Sequence, residues 1–219
     1  SLGVVYSAHT DATINQVIED MSAAKGISTS LAKTNLYSGG FTIYSTQNTS
    51  IQKRMEEEFA NTSKYSLKSK ITKDENDEYV YSQAAMVVID NETGYVAGCT
   101  GELGTKSSSR VLNRATQSPR STGSSIKPIA DLLPGLEEGI ITAATVYNDV
   151  QAEFKSGTDT YKPKNDGYKY YGKRSSRQAV TTSQNVPFVK VMAELTVPKA
   201  KEYLTKMGIT TLSETNDVG

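Results

Sequence analysis

Short apolar segments, spaced in some places as helices and in others as strands, constrain the fold of this 219-residue chain most strongly. Apolar residues three or four positions apart predict helices over residues 10–24, 49–60, 124–138, 176–195 and 198–207. Alternating or continuous apolar residues predict a strand over 41–46 and a hairpin over 84–99, with its turn at 90–94. A chain of this length can bury one sizeable core or two small ones, so we expect a globular fold.

Residues 61–77 have no apolar period and are expected to be a loop or linker, and residues 104–122 are expected to be a loop rich in Ser and Arg. Residues 148–175 are rich in Gly, Lys and Tyr and have little period. Thr10 or Asp11 is placed to cap the first predicted helix. Pro134 lies inside the apolar pattern of residues 124–138. Because an interior proline costs about 3 kcal/mol, we expect a kink or an early end of that helix.

Composition excludes several classes of function. The formal net charge is zero, so the chain has no electrostatic reason to bind nucleic acid or an acidic membrane surface. A single cysteine, Cys99, excludes an internal disulfide and a multi-cysteine zinc site, and it is expected to be a small buried residue at a strand end. Because His9 is the only histidine, a serine nucleophile would need either His9 or a lysine as its base.

The sequence has no run of about 18 apolar residues, so no segment is expected to span a bilayer. No cleavable signal peptide is recognisable at the start of the chain. If the protein acts outside the cytoplasm, its export signal is expected upstream of residue 1.

The pattern Ser-x-x-Lys occurs four times, starting at Ser22, Ser30, Ser50 and Ser124. Any one of these pairs alone is better explained as an incidental pair on a helix surface. Ser124 differs because it follows Gly123, where a loop gives way to a helix with a strong apolar face. Unpaired backbone N–H groups and the positive end of the helix dipole would lie beside it and favour a developing oxyanion. Lys127, one helical turn later, would lie on the same face, so the pattern favours Ser124 as nucleophile and Lys127 as base.

A lysine can act as a base only in its neutral form. With an ordinary pKa of ~10.4, under about a thousandth of the side chains are neutral at pH 7. Burial beside the helix would lower the pKa by desolvation. The hypothesis therefore requires Lys127 to be buried.

Ser183-Gln184-Asn185 is the only Ser-x-Asn in the sequence. Its hydroxyl is suited to passing a proton toward a leaving group, and its amide to holding both a lysine and a substrate. The alternative is a helix-capping serine followed by a turn asparagine.

Several segments, taken in order, resemble the transpeptidase domain of class A (bifunctional) penicillin-binding proteins. Gly123–Pro128 resembles the nucleophile motif of that family, and Ser183–Asn185 resembles its second motif. Further similar segments lie at 40–46 with Ile51 and Gln52, and at 85–97, 113–117, 161–165, 177–179 and 183–189. The resemblance covers most of residues 10–210.

The resemblance implies an α+β fold of the serine β-lactamase and D,D-transpeptidase type, with an antiparallel sheet flanked by helices and incomplete in this chain. Residues 1–48 would be an inter-domain linker region and the start of the transpeptidase domain, and residues 49–219 its N-terminal part. In this family a membrane anchor and a glycosyltransferase domain come first. An extracytoplasmic location, anchored to the cell membrane by a segment outside this chain, is therefore expected.

The implied function is that of a peptidoglycan D,D-transpeptidase without a metal or cofactor. Ser124 would attack the bond between the last two D-alanines of a stem peptide, and Lys127 would take its proton. Ser183 would relay a proton to the departing D-alanine, while Asn185 orients Lys127 and the peptide. β-Lactam antibiotics would acylate Ser124. Alternatives are a D,D-carboxypeptidase, a β-lactamase, a penicillin sensor or scaffold that is acylated without turnover, and a structural linker module.

The family's third motif, Lys-Thr/Ser-Gly, does not occur after Asn185. Lys155-Ser156-Gly157 matches its letters but lies between the first two motifs, so we expect a surface loop there. In the family, the strand with this motif also supplies the second oxyanion donor. The resemblance therefore implies that the C-terminal part of the domain is absent and that residues 1–219 alone are inactive. A lesser departure is Gln47, where class A relatives often carry an acid.

Overall fold

The computed structural model describes residues 4–64, 70–73, 79–156 and 159–212. The chain divides into two compact units, residues 1–120 and residues 121–219. Each unit combines helices with short antiparallel strand pairs, so the predicted α+β class is confirmed. The boundary predicted at residue 49 separates the linker region and domain start from the rest of the transpeptidase domain, and it stays a prediction. Within the described ranges, no helix is both long enough and apolar enough to cross a bilayer.

The helices described in residues 1–120 are α1 Ala8–Lys25, α2 Thr29–Ser38, α3 Thr49–Ala60 and α4 Arg114–Gln117. The predicted helices over 10–24 and 49–60 correspond to α1 and α3. The cap of α1 is Ser7, whose hydroxyl accepts the Thr10 N–H, so the prediction of Thr10 or Asp11 as cap is wrong. The predicted elements do not include α2, because it buries only Ala32 and Leu36 and its apolar pattern is short.

Two strand pairs lie in the same unit: β1 Lys70–Lys73 with β2 Tyr79–Tyr81, and β3 Met86–Ile89 with β4 Val96–Thr100. The β3–β4 pair confirms the predicted hairpin over 84–99. Helix α3 packs against β4, where the Gln52 side chain accepts the Cys99 N–H at 2.9 Å and donates to the Cys99 carbonyl at 2.8 Å. Cys99 is buried near the end of β4, as predicted.

Three further predictions in this unit are wrong. The predicted loop over 104–122 contains the short helix α4. Residues 41–46 do not form a strand. Instead, the Thr46 hydroxyl donates to the Val96 carbonyl at 2.7 Å and the Asn48 N–H donates to the Ala97 carbonyl at 2.9 Å. The predicted loop over 61–77 contains strand β1, although 65–69 and 74–77 of that range lie outside the described residues. Alternation alone does not make a strand, because a strand also needs a partner.

In residues 121–219, a helical segment runs from Gly123 to Glu137 but is not a regular α-helix. It begins as a 3₁₀ turn at Gly123–Ile126, continues as a π turn at Pro128–Leu132 and ends as α5 Leu133–Glu137. Pro134 has no N–H and its ring crowds the carbonyl four residues earlier. The π turn lies directly before it, so the disturbance expected at Pro134 takes the form of a widened turn.

The strands of this unit are β5 Val146–Asp149 paired with β8 Gly172–Ser175, and β6 Phe154–Ser156 paired with β7 Asp159–Tyr161, both antiparallel. They fall largely in residues 148–175, where three- and four-residue strands are too short to produce a clear period. Lys155 and Ser156 lie on β6, so the expectation of a surface loop is wrong for them. Gly157 lies outside the described residues.

The last helices described are α6 Ser176–Thr181, α7 Asn185–Leu195 and α8 Val197–Lys206. Helix α8 confirms the prediction over 198–207. The predicted helix over 176–195 is wrong in one respect, because residues 182–184 divide it into α6 and α7. Helices α7 and α8 pack against the 123–137 segment around a buried core of Ala130, Met192, Leu195, Ala200 and Leu204. This packing holds the 123–137 segment beside α7.

Candidate active site

Ser124 lies in the 3₁₀ turn that opens the 123–137 segment, and its side chain is exposed. Gly123 before it has φ +54°, a left-handed conformation that glycine adopts without steric penalty. The predicted position of Ser124, where a loop gives way to a helical segment, is confirmed. The first turn is 3₁₀ rather than α, however, so Ser124 does not open a regular α-helix.

Lys127 is buried, with 9% of its surface exposed. Its Nζ lies 2.6 Å from Asn185 Oδ1, 2.9 Å from the Ser183 carbonyl oxygen and 3.3 Å from Ser183 Oγ. The Gln184 carbonyl oxygen lies 3.2 Å away. The centre of the Phe188 ring lies 5.2 Å from Nζ, close enough for a cation–π contact. Lys127 is thus held by the residues that connect α6 and α7.

The environment of Lys127 changes its proton affinity. Burial lowers the pKa of Lys127, because desolvation disfavours the charged amine, and the nearby Asp131 carboxylate opposes this with a smaller effect. Burial also raises the pKa of Asp131 to about 7, against the smaller effect of Lys127. Lys127 therefore loses its proton more readily than an exposed lysine, as a base at this position requires.

Ser183 lies in the turn that divides the predicted helix in two. Its φ is +52°, which is uncommon for a residue other than glycine. Such a conformation costs on the order of 1–3 kcal/mol and persists only where the surrounding structure holds it. The N-cap residue of α7 is Gln184, so the alternative interpretation of Ser183 as the cap of this helix does not hold. Both oxygens of Ser183 instead face Lys127.

Asn185 is the first residue of α7. Its side-chain Nδ2 donates to the Lys164 carbonyl at 2.7 Å, and its Oδ1 accepts from Lys127 Nζ. Because the Lys164 carbonyl can only accept, this contact sets which end of the amide faces Lys127. Asn185 therefore presents an acceptor to the ammonium group.

These side chains form a site suited to acyl transfer by a serine. Among the described residues, no hydrogen bond joins Ser124 Oγ to Lys127 Nζ; catalytic hydrogen bonds are often long before substrate binds. The site has an exposed hydroxyl, a buried lysine of lowered pKa and a second hydroxyl beside that lysine. The catalytic roles of Ser124, Lys127, Ser183 and Asn185 stay predictions.

The other Ser-x-x-Lys pairs lack this environment. Lys25, Lys33 and Lys53 are exposed, whereas Lys127 is buried. Lys53 forms an ion pair with Glu57 along the surface of α3, at 3.9 Å. Burial therefore distinguishes Lys127 from the lysines of the three other pairs.

Three residues that lie near this cluster or support it were not predicted from the sequence: Asp131, Phe188 and Asn165. Asp131 had a detectable signal, because it follows Lys127 by four residues in a predicted helix and so shares its face. Asn165 belongs to the 161–165 segment that resembles the family, but its contacts depend on the tertiary structure. Phe188 follows the second motif by three residues and contacts Lys127 only because α7 begins at Asn185.

His9 has a structural contact rather than a place in this cluster. His9 is buried in the first unit, where its Nε2 lies 2.8 Å from the Val96 carbonyl oxygen and connects α1 to β4. In the part of the chain that the structure describes, no group of three or more His, Cys, Asp or Glu side chains is arranged to hold a metal ion.

A known family matches the part of the chain that contains this site. The model of the penicillin-binding protein transpeptidase domain matches residues 84–217, which is more than half of the chain. The chain belongs to this family. The resemblance read from the motifs is thereby confirmed, and the matched range contains Ser124, Lys127, Ser183 and Asn185.

Curated relatives of this chain are penicillin-binding proteins several times its length. Penicillin-binding protein 1A of Clostridium tetani is 31% identical over 203 residues, covering 90% of this chain and 25% of the relative. Penicillin-binding protein 2a of Streptococcus pneumoniae is 28% identical over 211 residues, covering 93% of this chain and 25% of the relative. The chain therefore spans about a quarter of the length of these penicillin-binding proteins.

Solved structures of penicillin-binding proteins share the fold. Penicillin-binding protein 1A of Haemophilus influenzae aligns with a TM-score of 0.53 and 25% identity, over 62% of this chain and 21% of that one. The penicillin-binding protein PonA1 of Mycobacterium tuberculosis aligns with a TM-score of 0.67 and 20% identity, over 94% of this chain and 47% of that one. The predicted transpeptidase-type α+β fold is confirmed.

Proposed function

We propose that this chain is part of a peptidoglycan D,D-transpeptidase, which cross-links stem peptides through an acyl-enzyme on Ser124. The observation that carries the proposal is the buried Lys127 amine, held by Ser183 and Asn185 one helical turn from Ser124. Membership of the penicillin-binding protein transpeptidase family supports the reaction class. The proposal concerns the full-length protein.

In the first half-reaction, neutral Lys127 accepts the Ser124 hydroxyl proton as Oγ attacks the carbonyl carbon between the last two D-alanines. The backbone N–H of Ser124 stabilises the oxyanion that forms on the former carbonyl oxygen. The C–N bond then breaks, and the departing D-alanine amine receives a proton through the Ser183 hydroxyl. The product is an ester between Ser124 and the shortened stem peptide.

In the second half-reaction, an amine from a neighbouring strand attacks this ester. A new amide bond forms, the bond between Ser124 Oγ and the acyl carbon breaks, and the proton lost by the amine returns to Ser124 through Lys127 and Ser183. Asn185 keeps Lys127 in place throughout and receives the peptide amide of the substrate. The strained amide of a β-lactam resembles the D-alanyl-D-alanine bond, so β-lactams acylate the same serine.

The full-length protein is proposed to carry a glycosyltransferase domain before this region and to be anchored in the cell membrane, with the transpeptidase domain outside the cytoplasm. The class A resemblance supports this arrangement. Its partners are then the stem peptides of peptidoglycan and, as covalent inhibitors, β-lactam antibiotics. Nucleic acid is not an expected partner, since the chain has no net charge.

Labelling with a fluorescent penicillin tests the nucleophile. The full-length wild type and a Ser125→Ala variant should form a covalent adduct that survives denaturation, whereas Ser124→Ala should not. Ser125 is the matched control, because it is an exposed neighbouring serine whose hydroxyl donates to the Thr122 carbonyl. Labelling of Ser124→Ala at the wild-type rate would refute the assignment of Ser124.

The fate of the acyl-enzyme tests the reaction type. A transpeptidase transfers the acyl group to an added D-amino acid, so the product should contain the acceptor. Hydrolysis to a shortened peptide as the sole product would indicate a D,D-carboxypeptidase. An acyl-enzyme that forms but reacts with neither water nor acceptor would indicate a penicillin sensor.

A further inference from the structure

Helix α7, which begins at Asn185, has no side-chain cap of its own, because Gln184 at its N-cap position makes no such bond. Its first N–H groups are instead satisfied by Asn165. The Asn165 Oδ1 accepts the Asn185 N–H at 2.7 Å and the Val186 N–H at 3.4 Å. The start of α7 is therefore capped by a side chain from a different segment of the chain.

A buried carboxylate determines how Asn165 is oriented. Asp149, at the end of β5, is 0% exposed. The Asn165 Nδ2 donates to Asp149 Oδ1 at 2.8 Å and Oδ2 at 2.9 Å, and to the Lys169 carbonyl at 2.9 Å. Because a carboxylate can only accept, the amide must turn its NH₂ group toward Asp149 and its oxygen toward α7.

The same segment also orients the side chain of Asn185. The Lys164 carbonyl accepts from Asn185 Nδ2 at 2.7 Å, so Asn185 Oδ1 faces Lys127 Nζ at 2.6 Å. Two successive residues, Lys164 and Asn165, thus hold the side chain and the backbone of Asn185. A continuous set of hydrogen bonds leads from Asp149 through Asn165 and Asn185 to Lys127.

We propose that Asp149 and Asn165 are positioning residues for acyl transfer, which together place Asn185 Oδ1 against Lys127 Nζ. The inference rests on the proposed function, since it assigns these residues to the acylation of Ser124. Neither residue contacts Lys127 directly. They act through the first residue of α7, and a small displacement of that residue separates Lys127 from its acceptor.

The test compares three variants of the full-length protein: Asp149→Asn, Asn165→Asp and the exchanged variant that combines both substitutions. Asp149→Asn replaces one acceptor oxygen with an NH₂ group, so the Asn165 amide and the Tyr171 N–H must share the oxygen that is left, and Asn165 is held less firmly. Asn165→Asp places two carboxylates side by side. In the exchanged variant, the new amide at position 149 donates to the new carboxylate at position 165, which still accepts from α7. The oxygen of the new amide can still accept the Tyr171 N–H. The Lys169 carbonyl loses its donor and faces a carboxylate oxygen, so this one contact is not restored.

The measured quantity is the acylation rate constant at saturating fluorescent penicillin, expressed per folded active site, together with the dissociation constant and the melting temperature. We expect each single substitution to lower the rate constant by about 10- to 100-fold with little change in the dissociation constant. The exchanged variant should recover most of that loss. Ser175→Ala is the matched control, because it removes the cap of α6 in the same unit and should lower the melting temperature without lowering the rate constant.

Single variants that acylate within threefold of wild type would overturn the proposal, as would an exchanged variant that folds but acylates no faster than the single variants. If Asn165→Asp does not fold, the acylation rate constants of Asp149→Asn and the exchanged variant test the positioning role. Ser124→Ala is included throughout. If it is labelled like the wild type, the proposed function fails, and this failure is distinct from that of the positioning role.

Discussion

Lys127 is subject to two opposing influences on its protonation. Desolvation lowers its pKa, whereas the Asp131 carboxylate favours the charged form. The oxygens of Ser183, Gln184 and Asn185 accept hydrogen bonds from the same amine. This balance suits the proposed mechanism, in which Lys127 takes up a proton during the attack and releases it afterwards.

Asp131→Asn should stabilise the protein most above neutral pH. Burial raises the pKa of Asp131 from 3.8 to about 7. Below pH 3.8 the Asp131 carboxyl is protonated in both the folded and the unfolded protein, and its full contribution to the stability is present. As the pH rises through about 7, the buried carboxyl of the folded protein must ionise, and that contribution is lost. The variant should therefore gain up to about 4 kcal/mol in free energy of unfolding at pH 8, and almost nothing near pH 4.

Denaturant unfolding of the wild type and Asp131→Asn at several pH values measures this difference. A gain that does not depend on pH would show that Asp131 is not protonated near neutrality in the folded protein.

Ser183→Ala tests the Ser183 hydroxyl separately from the Ser183 carbonyl, since both oxygens contact Lys127 Nζ. The carbonyls of Ser183 and Gln184 would still hold Lys127, so the melting temperature should change little. Loss of the proton relay should slow acylation by about 100-fold. Thr182→Ala is the control, because this neighbouring hydroxyl is exposed and donates to the Gln178 carbonyl. Equal acylation rates in Ser183→Ala and the control, measured with a fluorescent penicillin, would contradict the relay.

At the scale of elements, two glycines of the first unit lie where neighbouring elements approach each other closely. A Cβ on Gly101 would lie 2.6 Å from the Cα of Asn113, just before α4. A Cβ on Gly98 would lie 2.5 Å from the Met55 sulfur of α3. The first neighbour is backbone and the second is the end of a flexible side chain, so the two positions should differ in their tolerance of alanine.

Gly101→Ala should lower the free energy of unfolding by about 1–3 kcal/mol, because the backbone at Asn113 must shift to admit the methyl group. Gly98→Ala should have a smaller effect, since Met55 can change its rotamer. Thermal or denaturant unfolding of the two variants gives the comparison. If Gly98→Ala lowers the free energy of unfolding more than Gly101→Ala does, the contact between Gly101 and the Asn113 backbone is not the more rigid of the two.

At the scale of the whole molecule, the chain carries two of the family's three motifs. No Lys-Thr/Ser-Gly follows Asn185 within residues 1–219. The β3–β4 pair is a two-stranded sheet, and Met86, Val87 and Ile89 on β3 are exposed. An isolated two-stranded sheet is at best marginally stable. The chain spans about a quarter of the length of its curated relatives.

The family resemblance implies that the strand with the third motif supplies the second oxyanion donor. If so, a polypeptide of residues 1–219 should react with fluorescent penicillin at least about 100-fold more slowly than the full-length protein. The measurement is the initial labelling rate per folded molecule, with Ser124→Ala as the blank for each length. Equal rates would mean that residues 1–219 already contain a complete oxyanion hole.

Local patterns predicted much of the fold and proposed a set of candidate site residues. The helices predicted over residues 49–60 and 198–207 are confirmed, because their apolar residues mark the buried face of each helix. The hairpin predicted on either side of the 90–94 turn is confirmed by the pairing of β3 with β4. The order of the motifs indicated the family before any geometry was known. The same motifs proposed Ser124, Lys127, Ser183 and Asn185 as site residues; the structure brings the last three together, and the catalytic roles of all four stay predictions.

Only the tertiary structure decided the rest. The turn at Ser183, the burial of Lys127 and the capping of α7 by Asn165 all depend on contacts between segments far apart in the chain. The absent strand over 41–46 and the unpredicted helix α2 have the same cause, since their conformations depend on neighbours rather than on their own periods. The spacing of apolar residues indicates which face of a helix or strand is buried. The partners of that element, its caps and the pKa values of its side chains depend on what packs against that face.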